Sequence, residues 1–389
     1  MAVALPLAAS PAAPVRPHIT QLRLEGFRSY KTAAVENCGD TVIITGDNGA
    51  GKTNLLEAIS MLSPGRGLRG AQLAELTCTE AEAGWGVAAD IAAEGETLRV
   101  DMRYRNEGGG RDLRIDGATA RGIGALAETL PQLWLTPAMD RLFADGASGR
   151  RAFLDRFTAL LDKEHNGHKT RFERAMRERN KLLRDDGLEA GAGWLDGLEN
   201  ALAVHGVAIA AARRAACDAL AGVLDSLPET PFPRAHIALD GTLETALDTT
   251  DPAHLTEAYR ARLAAARPTD AASGHTLEGP HRSDMRVACA TASGRPAAQC
   301  STGEQKALLI GLILAQAHAV ARNIGKVPLL LLDEAAAHLD ATRRAALAAL
   351  LADLGGQSWI TGTDRTAFKA FCPDATHLDI AAGRIGDPA

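Results

Sequence analysis

From Ile19 to about Ile115, apolar and polar positions follow a two-residue rhythm that predicts strands. "ITQLRLEGF" alternates, "DTVIITG" is a short β-branched run, and "GWGVAADIAAEGETLRVDMRYR" reads as a hairpin turning at Glu94-Gly95. One helix interrupts these strands, from about Lys52 to Leu62. From about Ser148 to Ala266 the pattern changes to long helical segments with few β-branched residues and acidic-basic surfaces. After about His275 strand and helix alternate again: "DMRVACA", a helix after Ser301, "KVPLLLLDE", a helix from Ala341 to Leu354, and "QSWITGTD". Two α/β regions therefore flank a helical insertion, and no internal repeat is evident.

Residues 1–18, "MAVALPLAASPAAPVRPH", lack the basic start of a signal peptide, and Pro6, Pro11 and Pro14 interrupt their apolar run. A disordered tail is expected there. No uninterrupted apolar run approaches the length needed to span a bilayer, so no membrane partner is expected.

Composition adds modest limits. The chain has 389 residues, 46% hydrophobic and 23% charged, as in an ordinary globular protein of two or three domains. A net charge of −6 gives no global field for a polyanion, so any nucleic-acid contact has to be a local patch. Six scattered cysteines (Cys38, Cys78, Cys217, Cys289, Cys300, Cys372) include no C-x-x-C pair. That argues against a zinc cluster or disulfide framework and fits a reducing cytosol.

The most specific chemistry lies in "TVIITGDNGAGKTNLLEAI", which holds Gly46-x-x-x-x-Gly51-Lys52-Thr53 between a strand and an amphipathic helix. Gly46, Gly49 and Gly51 let the backbone approach phosphate oxygens, with Asp47, Asn48 and Ala50 completing the loop. Lys52 supplies positive charge to the outer phosphates, and the Thr53 hydroxyl is placed to ligate Mg²⁺. The pattern predicts nucleotide binding.

A second site feature closes "VPLLLLDEAAAHLD". The run Val327–Leu332 suits a strand buried on both faces of a parallel sheet, and ligands bind at the carboxyl ends of such strands. Asp333 is the expected partner of Mg²⁺, usually through water. Glu334 is assigned as the base that orients the attacking water, provided the strand has already ended there.

The third feature is the polar start of an apolar helix, Ser301-Thr302-Gly303-Glu304. Ser301 and Glu304 have capping-box spacing, and a helix start also suits an anion. Local sequence leaves both readings open.

The order of these three features resembles that of the ABC-type ATPases, in which a signature helix precedes the acidic strand. "LRLEGFRSY", "LSPGRGLRG", "TPAMDRLFADGASGRRAFLD", "RFERAMRERNKLL" and "LEGPHRSDMRV" further resemble the bacterial RecF family, in order from Ile19 to the C-terminus. The resemblance implies an α/β fold: an ABC-type P-loop ATPase head with mixed sheets and flanking helices, carrying an inserted mainly helical arm. Its parts would be a tail at 1–18, head segments at 19–145 and 273–389, and the arm at 146–272.

It also implies an ATP- and Mg²⁺-dependent homodimer in which Ser301, Gly303 and Glu304 close over ATP held by the partner subunit. Slow hydrolysis, cytoplasmic location, DNA binding, and action with RecO and RecR in loading RecA on gapped DNA belong to the same implication. This chain departs from the family pattern at Pro137-Ala138 and at Ala337-His338, and "ITGTD" carries Thr361 where a switch histidine is usual in ABC-type ATPases.

Candidate DNA contacts are Arg174 and Arg177 in "KTRFERAMRERNKLLR", and Arg28, Arg66, Arg69, Arg150 and Arg151 near the nucleotide. Each has a bland alternative: a solvated helix face with paired glutamates for the first two, ion pairs for the others. His281 and Arg282 of "GPHRSD" either join the catalytic site or brace it.

Overall fold

The computed structural model describes residues 13–81, 83–120, 122, 124–185, 191–290, 294–337, 339–371 and 375–386. Cys372, His338 and the first twelve residues of the expected tail lie outside them. The rest of that tail is ordered. Val15 donates to Gly325 O (2.9 Å) and accepts from Val327 N–H (2.8 Å), and the first strand begins at His18.

The chain forms two compact units. The first takes the chain up to Trp134, then Ala317–Asp333 and Leu347 onward; the second takes Leu135–Gln316 and Glu334–Ala346. These divisions fall elsewhere than 145/146 and 272/273.

In the first unit, alternation builds a six-stranded antiparallel sheet in the order β2-β1-β4-β5-β6-β7. Its strands are β1 (His18–Phe27), β2 (Tyr30–Val35), β4 (Gly84–Ala93), β5 (Glu96–Arg105), β6 (Arg111–Ile115) and β7 (Ala118–Thr119). Leu22 and Leu24 of β1 are buried, while Arg23 and Glu25 point to the other face. The β4–β5 hairpin turns at Glu94 (φ 53°) and Gly95 (φ 83°), the paired positive dihedrals that suit a tight two-residue turn.

A second sheet, β15-β14-β3-β13-β12-β8, comprises β3 (Thr41–Thr45), β8 (Gln132–Leu135), β12 (Leu329–Leu332), β13 (Ser358–Thr361), β14 (Thr376–Ala381) and β15 (Arg384–Gly386). β14, β3, β13 and β12 are parallel, and β12 is buried throughout, as its unbroken leucines require. Helix α1 (Lys52–Ser60) follows β3 and buries Leu55, Leu56, Ala58 and Ile59; a short α2 (Gly124–Thr129) precedes β8.

The second unit is dominated by α3 (Ala147–Leu161), α4 (His165–Asp185), α5 (Ala192–Ser226), α6 (Thr242–Ala246), α7 (Pro252–Ala265) and α8 (Arg267–Ser273). Asp251 caps α7 through Ala253 N–H and His254 N–H, both at 3.1 Å, with Pro252 at the first helical position. Phe172, Leu183, Leu202, Val207, Tyr259 and Leu263 pack one core. Fully buried Arg179 crosses it, donating to Glu199 (3.0 Å), Asp270 (2.7 Å) and Leu263 O (2.8 Å).

The helical reading of this region missed one strand. β9 (Ala235–Asp240) pairs antiparallel with β10 (Asp284–Cys289), which also pairs with β11 (Arg295–Pro296). Of the four points at which the chain passes between units, two lie within helices α9 (Thr302–Ile324) and α10 (Ala341–Leu354), and the other two at Trp134/Leu135 and Asp333/Glu334. By length and composition α9 would cross a bilayer, but 67% of its most apolar window is buried, as in a core helix.

Candidate functional site

The loop between β3 and α1 wraps closely around its own lysine. Lys52, 5% exposed, donates from Nζ to Gly46 O (2.6 Å) and Asp47 O (2.9 Å), so the ammonium sits inside the loop. Gly46 has φ 145°, and a Cβ there would lie 2.2 Å from Ile380 O. At Gly51 (φ 119°) it would meet Ser29 Oγ at 2.8 Å, while Gly51 O accepts the Tyr30 hydroxyl at 3.0 Å. Both space and a positive φ therefore require these two glycines; at Gly49 nothing lies within 4 Å among the described residues, and its φ of 81° alone is the requirement. Asp47, Asn48 and Gly49 are exposed and Ala50 is buried.

Thr53 Oγ1 donates to both carboxylate oxygens of Asp333 at 3.0 Å. Thr361 Oγ1 donates to Asp333 Oδ1 at 2.7 Å. Strand register explains the second contact: Leu332 pairs with Ile360 across β12 and β13, which sets the next residues side by side. A hydroxyl and a carboxylate gathered beside the phosphate loop form a hard-oxygen donor set of the kind Mg²⁺ takes together with substrate phosphates. No group of three or more His, Cys, Asp or Glu suited to a metal occurs among the described residues.

Behind the loop, fully buried Glu57 accepts from Arg28 (2.9 and 3.1 Å) and from Arg69 (3.1 Å). Arg69 also donates to Asn54 Oδ1 (2.9 Å), and Asn54 donates to Ser29 Oγ (3.0 Å). Of the arginines proposed near the nucleotide, Arg28 and Arg69 thus support α1, though Arg69, like Arg66, is exposed.

In the second unit the capping box at the start of α9 is formed. Ser301 N–H and Oγ donate to Glu304 Oε2 (2.8 and 2.9 Å), and Glu304 N–H donates to Ser301 Oγ at 3.3 Å. Those bonds, with the nearby Arg295 charge, hold the Glu304 carboxyl below its ordinary range. Ser301, Thr302 and Gly303 remain exposed, and a Cβ at Gly303 would meet nothing within 4 Å among the described residues.

β12 ends at Leu332, and Glu334 lies in the left-handed region at φ 53°. The strand has therefore ended before Glu334, as its assigned role requires. Buried Lys306, in the second turn of α9, donates to Glu334 O at 3.1 Å.

Residues 18–374 match the family described as the RecF/RecN/SMC N terminal domain. A 376-residue match at 44% identity, covering 96% of this chain and 98% of its relative, is to the DNA replication and repair protein RecF of Mesorhizobium japonicum. This chain belongs to the RecF family. The protein of the same name from Brucella suis is 45% identical over 96% of this chain and 97% of its own length. Among solved structures, the recombination mediator protein RecF-ATP in the RecFOR pathway superposes with a TM-score of 0.83 at 24% identity, covering 98% of this chain and 100% of that one. The Smc head of Pyrococcus furiosus, bound to the C-terminal domain of ScpA, gives 0.52 at 17%, covering 95% of each. The ABC-type α/β head fold follows from these likenesses.

In this RecF-family chain, the segments "RRAFLD" and "GPHRSD" prove to be one brace. Arg150 grips Asp284 (2.8 and 2.9 Å) and Asp145 O (2.6 Å), and Arg151 donates to Ser283 O (2.8 Å). Arg213 holds Asp155 with two bonds (2.7 and 3.0 Å) and Pro280 O with a third (2.6 Å), while His165 Nε2 and Lys169 Nζ also reach Asp155 (2.9 and 2.8 Å). Burial pushes the Asp155 carboxyl up, but hydrogen bonds from His165 and Arg213 and the charges of Arg213 and Lys169 outweigh it, leaving it well below the usual range.

His281 Nε2 lies 2.9 Å from Thr276 O, and burial lowers its pKa. His281 is thus held to its own loop, and Arg282 is exposed. On α4, Arg174 and Arg177 are 76% and 69% exposed and face Glu178 and Glu173 (2.8 and 4.0 Å).

Proposed function

We propose that this chain is an ATP-dependent DNA-binding protein of DNA replication and recombinational repair, built as the head segments 19–145 and 273–389 with an arm at 146–272. The observation that carries the ATPase reading is the convergence of Thr53, Asp333 and Thr361 beside a loop that encloses Lys52. ATP binds with its phosphates against the backbone of Gly46–Thr53 and the Lys52 ammonium. Thr53, with Asp333 through water, would hold Mg²⁺, which neutralises phosphate charge when bound. Glu334 accepts a proton from the attacking water, and ATP is cleaved to ADP and phosphate.

Ser301 and Gly303 complete the site of a second copy. Their exposure and the empty space over Gly303 support this reading, because nothing in the described chain itself requires a glycine there. Glu304 serves by holding Ser301 in place through the capping box. ATP then joins two heads, and hydrolysis separates them. Duplex DNA is gripped without sequence preference by exposed arginines, with Arg66, Arg174 and Arg177 better placed than Arg150 and Arg151, which serve the brace.

RecO and RecR are the partners through which RecA reaches gapped DNA, and the reducing cytosol is the site of action. The five described cysteines are free thiols, as that compartment requires. A Glu334→Gln variant tests the chemistry: ATP-bound dimers should persist while phosphate release collapses. Equal release by variant and wild type would leave ATP as glue alone.

A further inference from the structure

Lys306 is the one basic residue in the first three turns of α9, and it lies 6% exposed just after the signature opening. An ammonium that deeply shielded needs defined partners. Among the described residues it has two: Glu334 O, to which it donates at 3.1 Å, and Asp140 Oδ2 at 3.5 Å, in the turn Pro137–Arg141 that follows β8. Glu334 O also accepts Ala337 N–H at 3.1 Å, so both acceptor directions of that carbonyl are used.

Glu334 itself sits at φ 53°, a conformation that a side chain longer than glycine adopts only where its surroundings impose it. The adjoining run Ala335–Ala337 is small and apolar and offers no side-chain hydrogen bond to impose it. Lys306 does, from a rigid helix whose first residues are the signature.

We infer that Lys306 is a positioning residue for the base: its ammonium fixes the backbone of Glu334, and so the direction of that carboxylate, from the helix that begins at Ser301. The inference rests on the reading of Glu334 as the base. Asp140 compensates the lysine charge and sets the ammonium between the two oxygens.

The test measures phosphate release and binding of a fluorescent ATP analogue on the full-length chain. It compares wild type with Lys306→Met, Lys306→Arg, Glu334→Gln and the Lys306→Met/Glu334→Gln double variant. A misdirected base costs on the order of a hundredfold. Lys306→Met should therefore lower phosphate release by about ten- to a hundredfold, with analogue affinity unchanged. Lys306→Arg, which keeps the charge but not the compact ammonium, should fall between Lys306→Met and wild type, and the double variant should be no slower than Glu334→Gln.

Wild-type turnover in Lys306→Met beside an inactive Glu334→Gln overturns the inference. So does a Lys306→Met variant that loses analogue binding together with turnover, since that marks a purely structural lysine. Wild-type turnover in Glu334→Gln overturns the assignment of the base itself.

Discussion

Replacing Thr361 with valine removes one hydroxyl and keeps the shape of a fully buried side chain. That hydroxyl donates to Asp333 Oδ1 at 2.7 Å, and Asp333 is 3% exposed, so water cannot readily replace it. A hydrogen bond to a charged group contributes about 1.5–3 kcal/mol net. Thr53 still donates to both oxygens at 3.0 Å, so the carboxylate is not orphaned and the lower end, about 1.5 kcal/mol, applies. What is lost is the fixed orientation of a carboxylate that has to face Mg²⁺. About 1.5 kcal/mol corresponds to roughly a tenfold change in affinity, in keeping with the effect of residues that orient metal ligands.

The assay is titration of a fluorescent ATP analogue, once with Mg²⁺ and once with EDTA. Thr361→Val should bind about tenfold more weakly with Mg²⁺ and equally well in EDTA, and Thr361→Ser, which keeps the donor, should restore the difference. Undiminished affinity with Mg²⁺, or the same loss in both buffers, would refute the orienting role.

Other perturbations probe the rest of the structure. Gly46→Ala places a Cβ 2.2 Å from Ile380 O at φ 145°, so both analogue affinity and melting temperature should fall; unchanged values of both would contradict the steric requirement for glycine. Lys52→Arg cannot fit two carbonyls at 2.6 and 2.9 Å with a broad guanidinium, so equilibrium binding should show weakened nucleotide affinity and, with it, less ATP-dependent dimer. Asp155 has a depressed pKa when folded, so its contribution to stability is complete above its ordinary value of 3.8 and is lost as pH falls below it. Asp155→Asn should therefore melt well below wild type at pH 7, and the gap should narrow in acid below that value; a gap independent of pH would contradict the ion-pair account.

Much of this was legible because it is local. The β-branched run of β3, the spacing Gly46 to Thr53 and the unbroken leucines of β12 each encode an element and its site residues within a short window. The missed features depend on distant partners. β9 shows only a short alternation amid long helices, and it becomes a strand because β10, more than 40 residues later, pairs with it from Asp284↔Asp240 onward. Glu57 looks like a surface carboxylate on an amphipathic helix until Arg28 and Arg69 arrive from either side. Arg150 and Arg151 read equally as DNA contacts or as ion-pair partners, because nothing local reveals that Asp284 and Ser283 will hold them. Thr361 reads as a missing histidine, when strand register makes it the neighbour of Asp333.

Sedimentation velocity of the purified chain with ATP, with ADP and without nucleotide, run beside Ser301→Arg, bears most directly on a shared nucleotide site. Wild type should be dimeric only with ATP. Ser301→Arg should bind the nucleotide as a monomer yet stay monomeric at every ATP concentration. A Ser301→Arg chain that dimerises with ATP as wild type does would contradict a site completed by the neighbouring copy.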